Sequence, residues 1–192
     1  MNETEKTDWN KNALDYGRRT KVMDEIENYW RNNWRPNYEK YTYSGYELLR
    51  RVDKDANILD IGCGYNLLKR YFPNLYGIDP YNSYADEEVS WLDYVQHKDF
   101  EHYLILGSIN HGHLSDIIPQ IEKLADMTKS GDTVYWRQNP GTGDHPWKGV
   151  ETVRFYPWTF EKNKEWCEKY GFTLQELKQD TGNRIYAEWI RE

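Results

Sequence analysis

Five short apolar runs, separated by polar or helix-forming chain, constrain the fold of this sequence more than any other feature. They are Asn57–Ile61 (NILDI), Leu75–Ile78 (LYGI), Val89–Leu92, Tyr103–Leu106 (YLIL) and Thr133–Arg137 (TVYWR). Continuous apolarity over so few residues is the pattern of strands covered on both faces. Between the fourth and fifth runs, Leu114, Ile117, Ile118, Ile121, Leu124 and Ala125 recur at helical spacing. Ser115 is the expected cap of that helix, Pro119 is expected in its first turn and Gly131 at its end. Phe160–Tyr170 reads as another helix, begun by Pro157 and Thr159 and stopped by Gly171. Phe172–Leu177 and Arg184–Ile190 then read as strands joined by the hairpin turn Asp180-Thr181-Gly182-Asn183. Upstream, Ser44 with Glu47 three residues later forms a capping box for a helix through Arg51. Strand, connection and strand repeated in this way predict a parallel sheet with right-handed crossovers, and the final hairpin adds an antiparallel pair.

The material for a core is unusual. Leu, Ile, Val and Phe make up only 37 of the 192 residues, and with a net charge of −7 that balance alone points to disorder. Nine Trp, 17 Tyr and five Phe reverse the reading, because each ring buries roughly 150–250 Å². A core of rings is expected. No apolar run approaches the roughly 18 residues of a membrane span, and the opening MNETEKTDWN lacks the apolar stretch of a secretory leader. A cytoplasmic protein without membrane contact is therefore expected. Cys63 and Cys167 have no metal-ligand spacing and are expected as reduced thiols. The acidic balance provides no positive field to gather phosphates, which weighs against a nucleic-acid partner.

Residues 1–43 carry eight acidic and eight basic side chains, so the whole −7 lies on residues 44–192. The first segment also carries Trp9, Tyr16, Trp30, Trp34, Tyr38, Tyr41 and Tyr43, too many rings for a solvated tail. It is expected as an aromatic extension, part of a lid over the domain of residues 44–192. The alternative is plain packing of its rings on that domain or on a partner.

Chemistry concentrates in NILDIGCGYNLLKRYFPNLYGIDPYN, residues 57–82. The first strand runs directly into Asp60-Ile61-Gly62-Cys63-Gly64-Tyr65-Asn66, and the second ends at Asp79, seventeen residues after Gly62. Glycine is needed where a ligand must touch the backbone, and a carboxylate at a strand tip can accept both hydroxyl hydrogens of a ribose. Gly-x-Gly alone is weak evidence. A preceding strand, a following helix and an acid closing the next strand make it strong.

This stretch resembles the class I (Rossmann-like) S-adenosylmethionine-dependent methyltransferases, whose pattern after strand one is Asp/Glu-x-Gly-x-Gly with an acid ending strand two. The resemblance covers residues 44–192. It implies a doubly wound, seven-stranded, mostly parallel sheet of order 3-2-1-4-5-7-6 with one antiparallel strand. It also implies S-adenosylmethionine as cofactor. Asp60 and the Gly62-Cys63-Gly64 backbone would hold the methionine end, Asp79 the ribose, and Pro80 and Tyr81 the adenine. Asp93, in WLDY, would accept from the adenine amino group, and Ser108, in the loop after strand four, is expected among the cofactor-binding residues. Asn66 stands where the family has a third glycine; Asn is the other residue that tolerates left-handed backbone.

Dinucleotide binding uses a similar turn. However, the Tyr-x-x-x-Lys pairs Tyr65–Lys69 and Tyr94–Lys98 follow strands one and three, where a dehydrogenase pair does not sit. The loop Leu106-Gly107-Ser108-Ile109-Asn110-His111-Gly112-His113 lacks the Asn/Asp-Pro-Pro-aromatic motif of many amino-methylating relatives, so a small-molecule acceptor is expected. His111 is the candidate catalytic base, since imidazole titrates near 6.5. Arg137 is directed to the same face and suits a carboxylate-bearing acceptor. No metal is expected. Two other classes remain open: a cofactor-binding protein without transfer, and another enzyme on the same cofactor, by aminopropyl transfer or as a lyase.

Overall fold

A computed structural model describes residues 27–33, 35–141 and 155–192. The chain divides into two compact units, residues 1–34 with 147–153 and residues 35–146 with 154–192. In the first, Tyr29–Asn33 forms one helical turn in which the Tyr29 and Trp30 rings meet edge to face at 5.2 Å. Most of the aromatic extension expected over residues 1–43, including Trp9, Tyr16 and Trp34, lies outside the described residues.

The second unit holds six strands: β1 (Ile58–Ile61), β2 (Leu75–Ile78), β3 (His102–Ile105), β4 (Thr133–Gln138), β5 (Phe172–Asp180) and β6 (Arg184–Arg191). Its helices are α1 (Leu48–Arg51), α2 (Leu114–Met127) and α3 (Phe160–Lys169). The strand order is β2-β1-β3-β4-β6-β5, with β1 parallel to β2 and β3, and β3 parallel to β4. Strand β6 runs antiparallel to both β4 and β5, so it is the one reversed strand.

The expected third strand, Val89–Leu92, does not form. With it removed, the expected order 3-2-1-4-5-7-6 becomes the observed one. Residues 86–87 already occupy the outer edge of β2: Asp86 N–H donates to Gly77 O, Gly77 N–H donates to the Asp86 carboxylate, and only Glu87 bridges Ile78. The chain then turns away and anchors on α2, where Trp91 Nε1 donates to Gln120 O at 2.9 Å. A side chain thus takes the place of a ladder.

Period-two alternation sends successive residues to opposite faces. Leu59, Ile61, Tyr103, Ile105, Val134, Trp136 and Trp189 meet Ile117, Ile121 and Leu124 of α2 and Trp166 of α3. Rings dominate this face as expected: Trp136 lies 5.6 Å from Trp158 and 4.8 Å from Trp189. Ile58, Leu104, Tyr135 and Tyr186 face the other way, onto Tyr38, Leu48, Leu68 and Phe72.

Two capping expectations fail. Ser44 opens no helix; α1 begins at Leu48, because Ser44 N–H and Oγ–H both donate to the buried Asp180 carboxylate. Helix α2 is capped by His113 rather than Ser115, with the Asp116 carboxylate accepting from His113 N–H at 2.7 Å. It ends at Met127, and Pro119 lies within the helix, beyond its first turn. The α3 cap is as read, with Thr159 accepting from Lys162 N–H. Among the described residues no helix is long and apolar enough to cross a membrane, and no three His, Cys, Asp or Glu gather as a metal site.

Candidate functional site

The carboxyl end of β1 enters the glycine turn. Gly62 and Gly64 have φ of +74° and +54°, in the left-handed region that glycine adopts without strain. A Cβ on Gly62 would overlap the Ser108 Cβ, so the two loops after β1 and β3 touch there. Gly62 and Cys63 N–H donate to Ile78 O at 2.8 and 3.0 Å, lashing the turn to β2. Asn66, at the third position, is left-handed with φ 51° and starts the 3₁₀ turn Leu67–Arg70. Its amide donates to Tyr84 O and to the Asp86 carboxylate, both at 3.2 Å.

Asp79 closes β2 as read. Its two oxygens accept from Gly64 N–H at 3.0 Å and Tyr81 N–H at 2.8 Å, which brings the carboxylate against the glycine turn. Burial pushes its pKa up, against the pull of those N–H groups. A third backbone donor, Asn82 N–H, pulls the same way. Pro80 and Tyr81 are half-buried beside it.

Asp60 is a deeply buried carboxyl. It is 1% exposed and its Oδ2 has no hydrogen-bond partner. Burial pushes its pKa up to about 7; the Arg137 guanidinium pulls it down and Asp79 adds to the rise. A buried carboxylate oxygen without a donor is costly unless a ligand supplies one. Ser108 Oγ is likewise buried without a partner. Cys63 is a buried thiol whose pKa is raised by burial and by the Asp60 and Asp79 charges, so it is inert.

Asp93 is not drawn into this group by any direct contact. It sits in an exposed turn where it accepts from Ser90 Oγ at 2.5 Å. His111 is half-buried three residues past Ser108, its ring 4.8 Å from that of Phe155. Arg137, at the end of β4, shares the Asp60 face of the sheet and donates to Ser44 O at 3.3 Å and to Leu106 O.

The sequence marks Tyr38 only as one ring of the aromatic extension. It is 7% exposed, its ring 5.9 Å from the Arg137 guanidinium, and burial and the Asp60 charge raise its hydroxyl pKa. No local signal sets it apart from the other rings, since it stands 22 residues before Asp60 and comes near it only through the fold. Arg35 comes from the same segment: its Nη1 donates to the Tyr65 hydroxyl at 2.6 Å, and the Tyr65 ring stacks on Tyr84 at 5.4 Å.

No family model and no curated protein sequence matches the chain. Solved structures do. One is the 1,6-didemethyltoxoflavin-N1-methyltransferase of Burkholderia thailandensis with bound 1,6-didemethyltoxoflavin and S-adenosylhomocysteine. It matches at TM-score 0.61 and 12% identity over 77% of this chain and 76% of that one. Another is the magnesium protoporphyrin IX methyltransferase of Synechocystis PCC 6803 with bound S-adenosylhomocysteine, at TM-score 0.60 and 13% identity over 88% and 94%. The N-methyltransferase NodS of Bradyrhizobium japonicum WM9 matches at TM-score 0.57 and 14% identity over 77% and 94%. With β1 and β2 as parallel neighbours and β6 reversed, the chain has the fold of the class I S-adenosylmethionine-dependent methyltransferases.

Proposed function

We propose that the chain is an S-adenosylmethionine-dependent methyltransferase acting on a small-molecule acceptor. The observation that carries this reading is the pairing of a buried, donor-less carboxylate oxygen on Asp60 with a glycine turn clamped by Asp79. These groups fit the cofactor. Asp60 opposes an ammonium group, the glycine turn is tied to Asp79 through Gly64 N–H, and Asp79 presents its carboxylate to the ribose hydroxyls. Bound S-adenosylmethionine supplies a methyl group on a positively charged sulfur, so the leaving group is already activated.

What remains for the chain is to bind, orient and exclude water. In this reading Pro80 and Tyr81 pack on the adenine, Asp93 accepts from its amino group, and Ser108 lines the cofactor side of the β3 loop. In this reading the buried Tyr38 ring covers the Asp60 face of the site, as part of a lid built from residues 1–43. His111 accepts a proton where the acceptor must lose one.

Titration calorimetry with S-adenosylhomocysteine tests the reading. Micromolar affinity, roughly −8 kcal/mol, is expected. Asp79→Ala leaves the ribose hydroxyls without an acceptor and is expected to cost on the order of 1–3 kcal/mol. Unchanged affinity in that variant would remove the ribose from Asp79, and a preference for NADH would overturn the cofactor.

A further inference from the structure

The loop after β3 gathers nitrogen donors around Gly107. Gly107 has φ +115°, and apart from its chain neighbours the nearest atoms to where its Cβ would stand lie at 3.8 Å, ordinary van der Waals contact. The neighbours at that range are Arg137 Nη2 at 3.8 Å, Asn110 Nδ2 at 3.8 Å and Arg137 Nε at 4.0 Å. All three carry N–H groups. Nη2 donates one hydrogen to Leu106 O and Asn110 Nδ2 one to Arg137 O at 3.3 Å, so each retains a second. Among the described residues Nε donates to nothing. The Nε–Nη2 edge is the side of a guanidinium that takes a carboxylate in two parallel hydrogen bonds.

The guanidinium is fixed before any ligand arrives. Nη1 donates to Ser44 O, and the Tyr41 ring covers one face at 4.2 Å. No carboxylate of the described residues lies within ion-pair distance of it. Asp60, on the same face of the sheet, is pushed by burial toward its neutral form and offsets the charge only in part. Asn110 is held as firmly, since its Oδ1 accepts from Asn139 N–H at 3.0 Å. A fixed cation whose Nε–H has no acceptor among the described residues, an amide donor beside it and a glycine in front make a site for a planar anion.

We propose that Gly107, Asn110 and Arg137 form a carboxylate-binding recess at the carboxyl ends of β3 and β4. It rests on the methyltransferase reading only for which molecule delivers the carboxylate: the methyl acceptor, or the amino-acid end of the cofactor. Ser108, the next residue, packs against the glycine turn at Gly62, which places the recess next to the candidate cofactor site.

The test follows the arginine Nε–H resonances of ¹⁵N-labelled protein, with the Arg137 signal assigned by its loss in Arg137→Lys. Sodium benzoate is added to the free protein and to its S-adenosylhomocysteine complex, with benzamide as the uncharged control. The expected result is a saturable downfield shift of the Arg137 Nε–H with benzoate and none with benzamide. If the shift persists in the S-adenosylhomocysteine complex, the recess serves the acceptor. If S-adenosylhomocysteine itself produces the shift and blocks benzoate, the recess serves the cofactor. A resonance that moves with neither ligand overturns the proposal. The free-protein arm does not depend on cofactor binding, so failure of the methyltransferase reading would show separately, as absence of S-adenosylhomocysteine binding by calorimetry.

Discussion

Asp60→Asn separates what the buried carboxyl does for stability from what it does for binding. In the unfolded chain an aspartate titrates near 3.8, and in the fold burial holds Asp60 at about 7 despite Arg137. Between those values the folded chain keeps a proton that the unfolded chain releases, so stability falls as pH rises. The contribution is fully present below 3.8 and lost once pH has passed about 7. Three pKa units at 1.36 kcal/mol each make the loss at most about 4 kcal/mol. Asparagine has no proton to lose. The variant is therefore expected to gain on the parent progressively from pH 4 to pH 8, by as much as about 8–16 °C in Tm for a chain of this size. Binding moves the opposite way. An ammonium group draws Asp60 into its charged form, so the parent's affinity for S-adenosylhomocysteine is expected to be about tenfold weaker at pH 6 than at pH 8. Calorimetry in two buffers of different ionisation enthalpy should register close to one proton released at pH 6. The variant loses the charge-assisted hydrogen bond, about 1.5–3 kcal/mol, together with the pH dependence. Parallel melting curves for parent and variant from pH 4 to pH 8, or equal parental affinity at both pH values, would refute the reasoning.

Asp180 accepts from the N–H groups of Thr42, Tyr43, Ser44 and Thr181 and from Ser44 Oγ, so Asp180→Ala is expected to cost about 3 kcal/mol in urea unfolding at pH 7. Burial raises its pKa but those hydrogen bonds outweigh it and hold it below 3.8, so this stability is lost as pH falls through the folded value. The gap between parent and variant should narrow at pH 3, and a gap under about 1 kcal/mol at pH 7 would contradict the anchor. Gly62→Ala meets left-handed strain of about 1–2 kcal/mol and the overlap with Ser108, about 1–3 kcal/mol more. Adding Ser108→Gly should recover the overlap but not the strain, and a double-mutant cycle without coupling would show that the loops do not touch. Trp189→Ala empties a fully buried site against Trp136 and Phe172 and is expected to cost about 3–5 kcal/mol by urea unfolding. A cost below 1 kcal/mol would mean that the ring core closes over the gap.

The candidate site was partly legible because some of its requirements are local. Gly62, Gly64 and Asn66 have left-handed backbone, and glycine and asparagine are the residues that tolerate it; their spacing after an apolar run could be read without knowing any neighbour. Asp79 was readable because it ends a strand. Ser44 misled because a capping box and a ligand to a distant carboxylate look alike along the chain. What decides between them is Asp180, 136 residues away.

By itself the sequence determined the alternation of strands and helices, the position of the glycine turn, the reversed last strand and a core of rings, since each follows from period, backbone allowance or composition. Tertiary structure alone decided that residues 86–87 replace a seventh strand, because that depends on Asp86 reaching Gly77 N–H. It alone brought Tyr38, Asp60 and Arg137 to one face and surrounded Gly107 with donors. Those groups come from segments far apart in the chain, and their pKa values and open hydrogen-bonding edges are properties of burial and approach, which no single segment carries.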